Sequence, residues 1–565
     1  MKKGLFVIFC LMVYSLNAQH QINPVIRVER LYDADLIEVS KPALGTQVPD
    51  SLRTFHTLFE YSIFDKPIGN LYEFSPLPPA QLRPSASDGT RYAYLKAGVG
   101  YPWTPRADIL LQVPLKSGWY IGMQARHRSL FTNDTRTTTN GIITLEHRGK
   151  NNTFRLYVPG AYLNNSFAVP DVLSSTSPFK NQSYYNIGGG IETFSLSKGP
   201  GTWHYYWKSE YSHAKNRIIG QPNGLWQPDN LPVIRENTLD IEAVAGYNLS
   251  HALRINLGGA ALFASDKWSP DSTSASRATI HLFPHVILSG ARYKVAAGVR
   301  IGYLLRPDNN KLGIFPWFDT HLVIAKDWLT LFAGVNGYQK LNTFQERIAE
   351  NPWVTANHLY DAYVPWDVKA GFSGTVADRF SYQLYGAYRY TKNQFYYETQ
   401  PIGVRYPGLY MLSYADETRY SAGASLSFHS RPVLAGISGE WHKYSLNTLQ
   451  PPWHKPEWEI RGYFRYNWRE RIVLSAHAYW RAACYVPAWD SPWKITDAYQ
   501  RNLYEGREVV TLPSFFNLGV QAEYVISKKF SVYIFGDNLL NKEDWVFYLY
   551  PNPGLTLGGG ITFRF

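Results

Sequence analysis

The chain has 565 residues, with 56 Lys and Arg against 44 Asp and Glu; the +12 charge is dispersed, with no cationic stripe, which argues against a nucleic-acid partner. Tyr, Phe and Trp number 42, 29 and 18, or 16% of residues, yet the mean hydropathy is -0.28. Many aromatics on a polar average suit a membrane barrel, where only alternate strand residues meet lipid, and after Ser15 no run of ~18 apolar residues could make a spanning helix.

Lys2-Lys3, the apolar run Gly4 to Leu16 and Asn17-Ala18-Gln19 have the order of a secretory signal peptide, so residues 1–18 are expected to be removed after Ala18. Cys10 lies inside the apolar run, away from where an acylated lipoprotein cysteine would stand. Cleavage leaves Cys484 alone, which excludes an intramolecular disulfide and a cysteine-based zinc site. Pro24, Pro42, Pro49 and the Pro76-Leu77-Pro78-Pro79 run interrupt residues 19–89. That stretch reads as an extended periplasmic or lumen-lining segment and not a complete plug. Residues 90–565 read as the barrel.

Period-two alternation carries the fold assignment. In chain order it places Leu253, Ile255, Leu257 and Phe263 opposite Arg254 and Asn256, then Tyr293, Val295, Val299, Ile301 and Tyr303 opposite Lys294 and Arg300. Later, Trp458, Ile460, Phe464 and Trp468 oppose Glu459, Arg461 and Arg465, and Phe516, Leu518, Val520 and Tyr524 oppose Asn517, Gln521 and Glu523. The first face of each pair is expected to meet lipid and the second the lumen. Arg254, Lys294, Arg300, Glu459, Arg461 and Arg465 are therefore the candidate lumen charges. Short turns are predicted near Asn248-Ser250, Ser289-Gly290, Lys326-Asp327, Ala377-Arg379, His429-Arg431, Arg469-Arg471 and Ser527-Lys529. Long polar and aromatic connections fall at Ile218–Glu236, Asn342–Ala362, Asn393–Tyr410 and Tyr485–Leu512. The expected fold is all-β: a transmembrane antiparallel β-barrel of about 22 strands (range roughly 16 to 22), with short periplasmic turns and long extracellular loops. Such a ring is too wide for its wall side chains to fill.

The outer loops are rich in aromatics, and Trp226, Trp353, Tyr396, Trp453, Trp489 and Trp493 are candidate contacts for a ligand or partner, or else pack the loops together. Ser475 and His477 share one strand face and Ser212-His213 lies near a strand end, but neither pair has an evident third partner. No catalysis is assigned, and no metal-binding, phosphate-binding or cofactor motif is present.

From Leu512 the chain reads LPSFFNLGVQAEYVISKKFSVYIFGDNLLNKEDWVFYLYPNPGLTLGGGITFRF, similar to the C-terminal strands of TonB-dependent receptors. The matching pieces are Asp537-Asn538-Leu539-Leu540-Asn541, Tyr550-Pro551 with Pro553-Gly554, and the alternation Gly559, Ile561, Phe563, Phe565. The resemblance covers about 50 residues. It implies an outer-membrane location in a Gram-negative cell of the Bacteroidota type. Ile561, Phe563 and Phe565 are then the signal read by the barrel assembly machinery. Without a plug or a TonB box it does not extend to energised uptake through TonB. A large barrel with charged inner faces and no plug instead favours passive or partner-gated transport of a solute; the alternatives are a structural or docking subunit of an outer-membrane assembly or export complex and, last, a hydrolase. Membrane lipid and a surface lipoprotein are the other expected partners.

Overall fold

A computed structural model describes residues 92–565 apart from 133–134, 167–178, 197–198, 221–232, 270–272, 308–309, 356–358, 400–408, 449, 488–500, 505–506, 543–546, 548–549 and 551. The expected signal peptide and the 19–89 segment lie outside the described residues, as do Trp226, Trp489 and Trp493.

Twenty-two antiparallel strands form one closed sheet. The ring is sealed where its first strand, Ala93–Tyr101, pairs with its last, Thr556–Arg564, in the register Tyr94↔Arg564 to Tyr101↔Leu557. A methyl group on Gly560 would collide with the Ala97 carbonyl oxygen and the Gly98 Cα, so this seam needs glycine. Ile561, Phe563 and Phe565 share the outward face of the last strand, where the Phe563 ring lies 4.9 Å from Phe530.

Alternation sorts the side chains as the sequence predicts. In Tyr293–Leu305, Val299, Ile301 and Tyr303 are exposed outward while Ala296 and Arg300 are buried on the lumen side. Exposed Ile255, Leu257, Ile314, Ile437 and Ile534 extend the apolar exterior around the ring, which fits contact with lipid hydrocarbon.

One rim carries the short turns. Ala377 and Asp378 (φ 52° and 54°) and Arg469 and Glu470 (φ 52° and 57°) each take the paired left-handed conformation of a two-residue hairpin turn that matches strand twist. The opposite rim carries the long connections, and there the structure corrects the predicted boundaries. Trp203–Gly220 and Val233–Asn248 run into the connection expected at Ile218–Glu236, and Phe380–Thr399 runs six residues past Asn393. About ten residues span a bilayer, so these 16- to 20-residue strands project well beyond it. Both faces of the projecting part meet water or protein, and the alternation that marks a strand in lipid fades. The connection at Tyr485–Leu512 holds a small sheet of Cys484–Pro487, Arg501–Tyr504 and Arg507–Leu512. The connection at Asn342–Ala362 holds a helix, Phe344–Glu350.

Candidate functional site

The segment Leu341–Asp361 joins the thirteenth and fourteenth barrel strands, Leu329–Lys340 and Ala362–Val376. Its helix begins at Thr343-Phe344-Gln345-Glu346, where the Thr343 side chain accepts a hydrogen bond from the Glu346 amide. The amides of Phe344 and Gln345 donate to the Glu236 carboxylate at 2.6 and 2.8 Å. The Gln345 amide oxygen accepts from Ser212 (3.0 Å) and Asn186 (2.9 Å), and its nitrogen donates to Thr238 Oγ1 at 2.7 Å. At the far end of the segment Trp353 stacks on Tyr550, centroids 3.8 Å apart and planes 14° apart, and its indole N–H donates to the Ser166 carbonyl at 3.0 Å.

These partners lie far around the ring. Glu236 belongs to the eighth strand, Ser166 to the fifth, and Tyr550 to the connection between the last two. Each is a quarter to two-fifths of the circumference from the segment's own roots, so the contacts are made over the opening and the segment caps the long-loop mouth. Phe344, Ile348, Trp353, Val354 and Leu359 pack in one buried cluster with Ile218, Ile234, Tyr397, Tyr410 and Tyr550.

A buried ionic latch holds the cap's root. Arg277 pairs with Asp266 and Asp361, both at 2.8 Å, and donates to the Asn342 carbonyl at 3.0 Å. Asp361 in turn accepts from the Asn342 amide at 3.0 Å. Arg347 lies 3.8 Å over the Phe395 ring and pairs with Glu350 at 2.9 Å. The connection between the seventeenth and eighteenth strands, Val433–Leu446 and Trp458–Trp468, contributes Lys455, which reaches Glu417 at 2.6 Å in front of the Tyr396 ring.

His454, in that connection, is packed against the Tyr410 and Phe547 rings at 5.6 and 5.7 Å. Burial, reinforced by the charge of Arg481, pushes its imidazole down to about 3. An imidazole released to water would titrate near 6.5, so between these values the released form binds a proton that the packed form refuses. Packing of this connection is therefore weakened as pH falls below about 6.5, by ~1.4 kcal/mol per unit and about 2 kcal/mol at pH 5. Limited proteolysis of the connection should therefore be faster at pH 5 than at pH 7.5. His454→Asn does not titrate and tolerates the left-handed backbone there (φ 59°), and it should remove most of that dependence; equal acid response in both proteins refutes the assignment.

Below the cap, the expected lumen charges all occupy inward positions. Arg300 is buried and donates to Asn336 Oδ1 (2.7 Å) and the Gly337 carbonyl (3.1 Å). Arg254 donates to Asn248 Oδ1 at 2.8 Å, Arg461 pairs with Glu459 at 2.7 Å, and Lys294 is exposed. Arg465 sits half-buried on the same strand face as Arg461. Sequence reasoning favoured cations and missed an acidic group on strands four to eight. There Arg155 bridges Glu146 and Glu192 at 2.8 and 2.6 Å, Lys208 lies 3.3 and 3.7 Å from Glu210 and Asp240, and Tyr157 donates to Glu210 at 2.8 Å. These carboxylates alternate with outward Tyr, Ile and Leu, and that period could have found them.

Of the loop aromatics, Trp353, Tyr396 and Trp453 are buried in internal packing. Tyr396 donates to Glu417 at 2.6 Å and Trp453 to Glu398 at 3.0 Å. Ser212 bonds the cap, whereas His213 faces outward and bonds Asn237 at 2.8 Å, so that pair is split across the wall. His477 lies 3.6 Å from Asp537 on the lumen side. An unforeseen polar group occupies the outward face of strands three and four. His127 is 2.8 Å from Thr139 Oγ1 and 2.9 Å from Ser129 Oγ, and Ser129, 6% exposed, donates to Thr137. That hydroxyl is closed to a substrate.

No family model and no curated protein matches the chain. Solved structures do. The iron transporter FrpB of Neisseria meningitidis is similar at a TM-score of 0.64 and 10% identity, over 85% of this chain and 82% of that one. The siderophore receptor PirA of Acinetobacter baumannii (0.62, 12%, 84% and 81%) and the copper transporter OprC (0.60, 12%, 84% and 81%) are similar over the same extent. The likeness is one of fold.

Proposed function

We propose that the protein is an outer-membrane passage for a hydrophilic solute, passive or opened by a partner, with Leu341–Asp361 as its gate. The observation that carries this reading is the cap: among the described residues, one segment reaches across the long-loop mouth of a wide ring with a charged wall, and its attachments are specific. The apolar exterior and the barrel fold shared with proteins described as transporters and receptors of iron, siderophore and copper support the location and the activity class. The long-loop rim is then extracellular and the short-turn rim periplasmic. The interleaved carboxylates and guanidinium groups of the wall favour polar solutes over apolar ones.

Purified wild-type protein in planar bilayers should be mostly silent with brief openings. Liposomes holding it should admit small sugars slowly. A variant lacking residues 344–353 should conduct continuously and admit the same sugars fast. A wild-type barrel that stands open from the outset removes the cap from its role. A cap-deleted barrel that folds, resists heat in detergent and stays silent overturns the transport reading.

A further inference from the structure

The outward face of the seventh, eighth and ninth strands, Trp203–Gly220, Val233–Asn248 and Leu253–Ser269, breaks the usual logic of cross-strand pairing. Lys215 lies directly opposite Arg235, and Arg235 directly opposite Lys267. Arg217 stands two residues beyond Lys215 on the same face. Like charges directly opposite each other destabilise a sheet, and here three stand in one row across adjacent strands.

Nothing in these strands neutralises them. Every carboxylate they contain, Glu210, Glu236, Asp240, Glu242 and Asp266, is an even-numbered residue on the lumen face, whereas the four cations are odd-numbered with outward Tyr205, Tyr211, Ile255 and Leu257. No ion pair to Lys215, Arg217, Arg235 or Lys267 exists among the described residues. Arg217, Arg235 and Lys267 are exposed. The polar neighbour on this face, Asn237, is already engaged by Tyr211 and His213, each at 2.8 Å.

The height of the row identifies what faces it. Lys267 follows exposed Leu257 by ten residues and Lys215 follows exposed Tyr205 by ten. Ten residues rise ~33 Å along a strand, or ~25 Å vertically at a typical tilt of about 40°, and the lipid-facing band of such barrels is ~25 Å tall. The row therefore lies just beyond the hydrocarbon, at headgroup level on the long-loop side. Neighbouring strands are ~4.8 Å apart, so the three cations span about 10 Å, enough to hold one phosphate between two cations or two phosphates along the row.

We propose that this row binds the phosphate groups of a phosphorylated glycolipid in the outer leaflet, whose acyl chains lie along the apolar face below it. The inference rests on the location and orientation given above, though not on transport. A phosphate bridging Lys215, Arg235 and Lys267 removes the repulsion that the sheet leaves standing, and the parity of the strands keeps all of their own carboxylates on the far side of the wall.

The full chain, extracted in mild detergent, should retain phosphorylated glycolipid detectable by phosphate and hydroxy-acyl analysis. Stripped of lipid, it should rebind purified lipopolysaccharide in a salt-sensitive manner. Each cation near a membrane surface strengthens anionic binding about fivefold, so Lys215→Gln/Arg235→Gln/Lys267→Gln should bind about a hundredfold more weakly. Lys294→Gln, which removes a lumen cation, should bind as wild type. If the triple variant fails the heat-resistance test of a folded barrel, Arg235→Gln alone, at the centre of the row, should still bind several-fold more weakly. Undiminished glycolipid binding by a folded variant overturns the proposal. So does full competition by millimolar inorganic phosphate, which would make the row a site for the free anion. Conductance of the variant lacking residues 344–353 is recorded in parallel, so glycolipid binding together with a silent cap-deleted barrel refutes transport alone, and a conducting cap-deleted barrel that does not bind refutes only this site.

Discussion

Arg277→Met is expected to release the cap and turn a quiet barrel into a conducting one. The guanidinium holds Asp266 and Asp361, both at 2.8 Å, and the Asn342 carbonyl at 3.0 Å in a site closed to solvent. Methionine fills similar space but leaves two buried carboxylates facing each other, with Arg306 only 3.6 Å from Asp361 as partial compensation. Removing one member of a buried ionic group costs about 3–5 kcal/mol because the remaining charges must return to water. Barrel strands cannot rearrange cheaply, whereas the cap's root at Asn342 and Asp361 can move outward. The closed-to-open ratio should fall roughly a hundred- to a thousandfold. Bilayer recordings would show sustained current, and protease added on the long-loop side would cut within 341–361. Unchanged conductance together with unchanged protection would mean that the latch does not hold the gate.

The second large effect is expected at the other end of the same segment. Trp353→Ala removes the stack on Tyr550, the bond to the Ser166 carbonyl and the cation contact from Arg136, whose guanidinium lies 5.3 Å from the ring. Truncating a buried tryptophan costs about 3–5 kcal/mol. Here most of that falls on closure, since Tyr550 and Ser166 belong to distant parts of the ring. Trp353→Phe keeps a ring for stacking and loses a hydrogen bond of about 1 kcal/mol, so it should remain largely closed. Alanine should conduct nearly as Arg277→Met does. If phenylalanine and alanine behave alike, the stacking is not what seats the tip, and the gate is held at its root alone.

The wall was legible in the sequence because lipid enforces a period of two. Ile255 and Leu257 against Arg254 and Asn256, and Val299 and Ile301 against Arg300, declare both faces without knowledge of any partner strand. Turns such as Ala377-Asp378 were legible because hydrophobic alternation stops on either side of them. The mouth was not legible. The Thr343-Phe344-Gln345-Glu346 helix start lies in a stretch too short and polar to announce a helix, and its first amides bond a glutamate more than a hundred residues earlier. Arg277 shows no local sign that its two carboxylates lie 11 residues before it and 84 after it. The cationic row was hidden for a related reason: Lys215, Arg235 and Lys267 become neighbours only through strand register.

The pairing of Ala93–Tyr101 with Thr556–Arg564 also governs how the molecule can be made. Until the final residues arrive, both of these strands are unsatisfied edges, and any chain that stops short displays two rows of free amides and carbonyls joined by a long apolar exterior. Loop closure over the whole sheet comes last and gains nothing from partial success. Biogenesis is therefore all-or-none with respect to the carboxyl end. Truncated products would have no protected state in water or in lipid, and would be prone to aggregation and proteolysis.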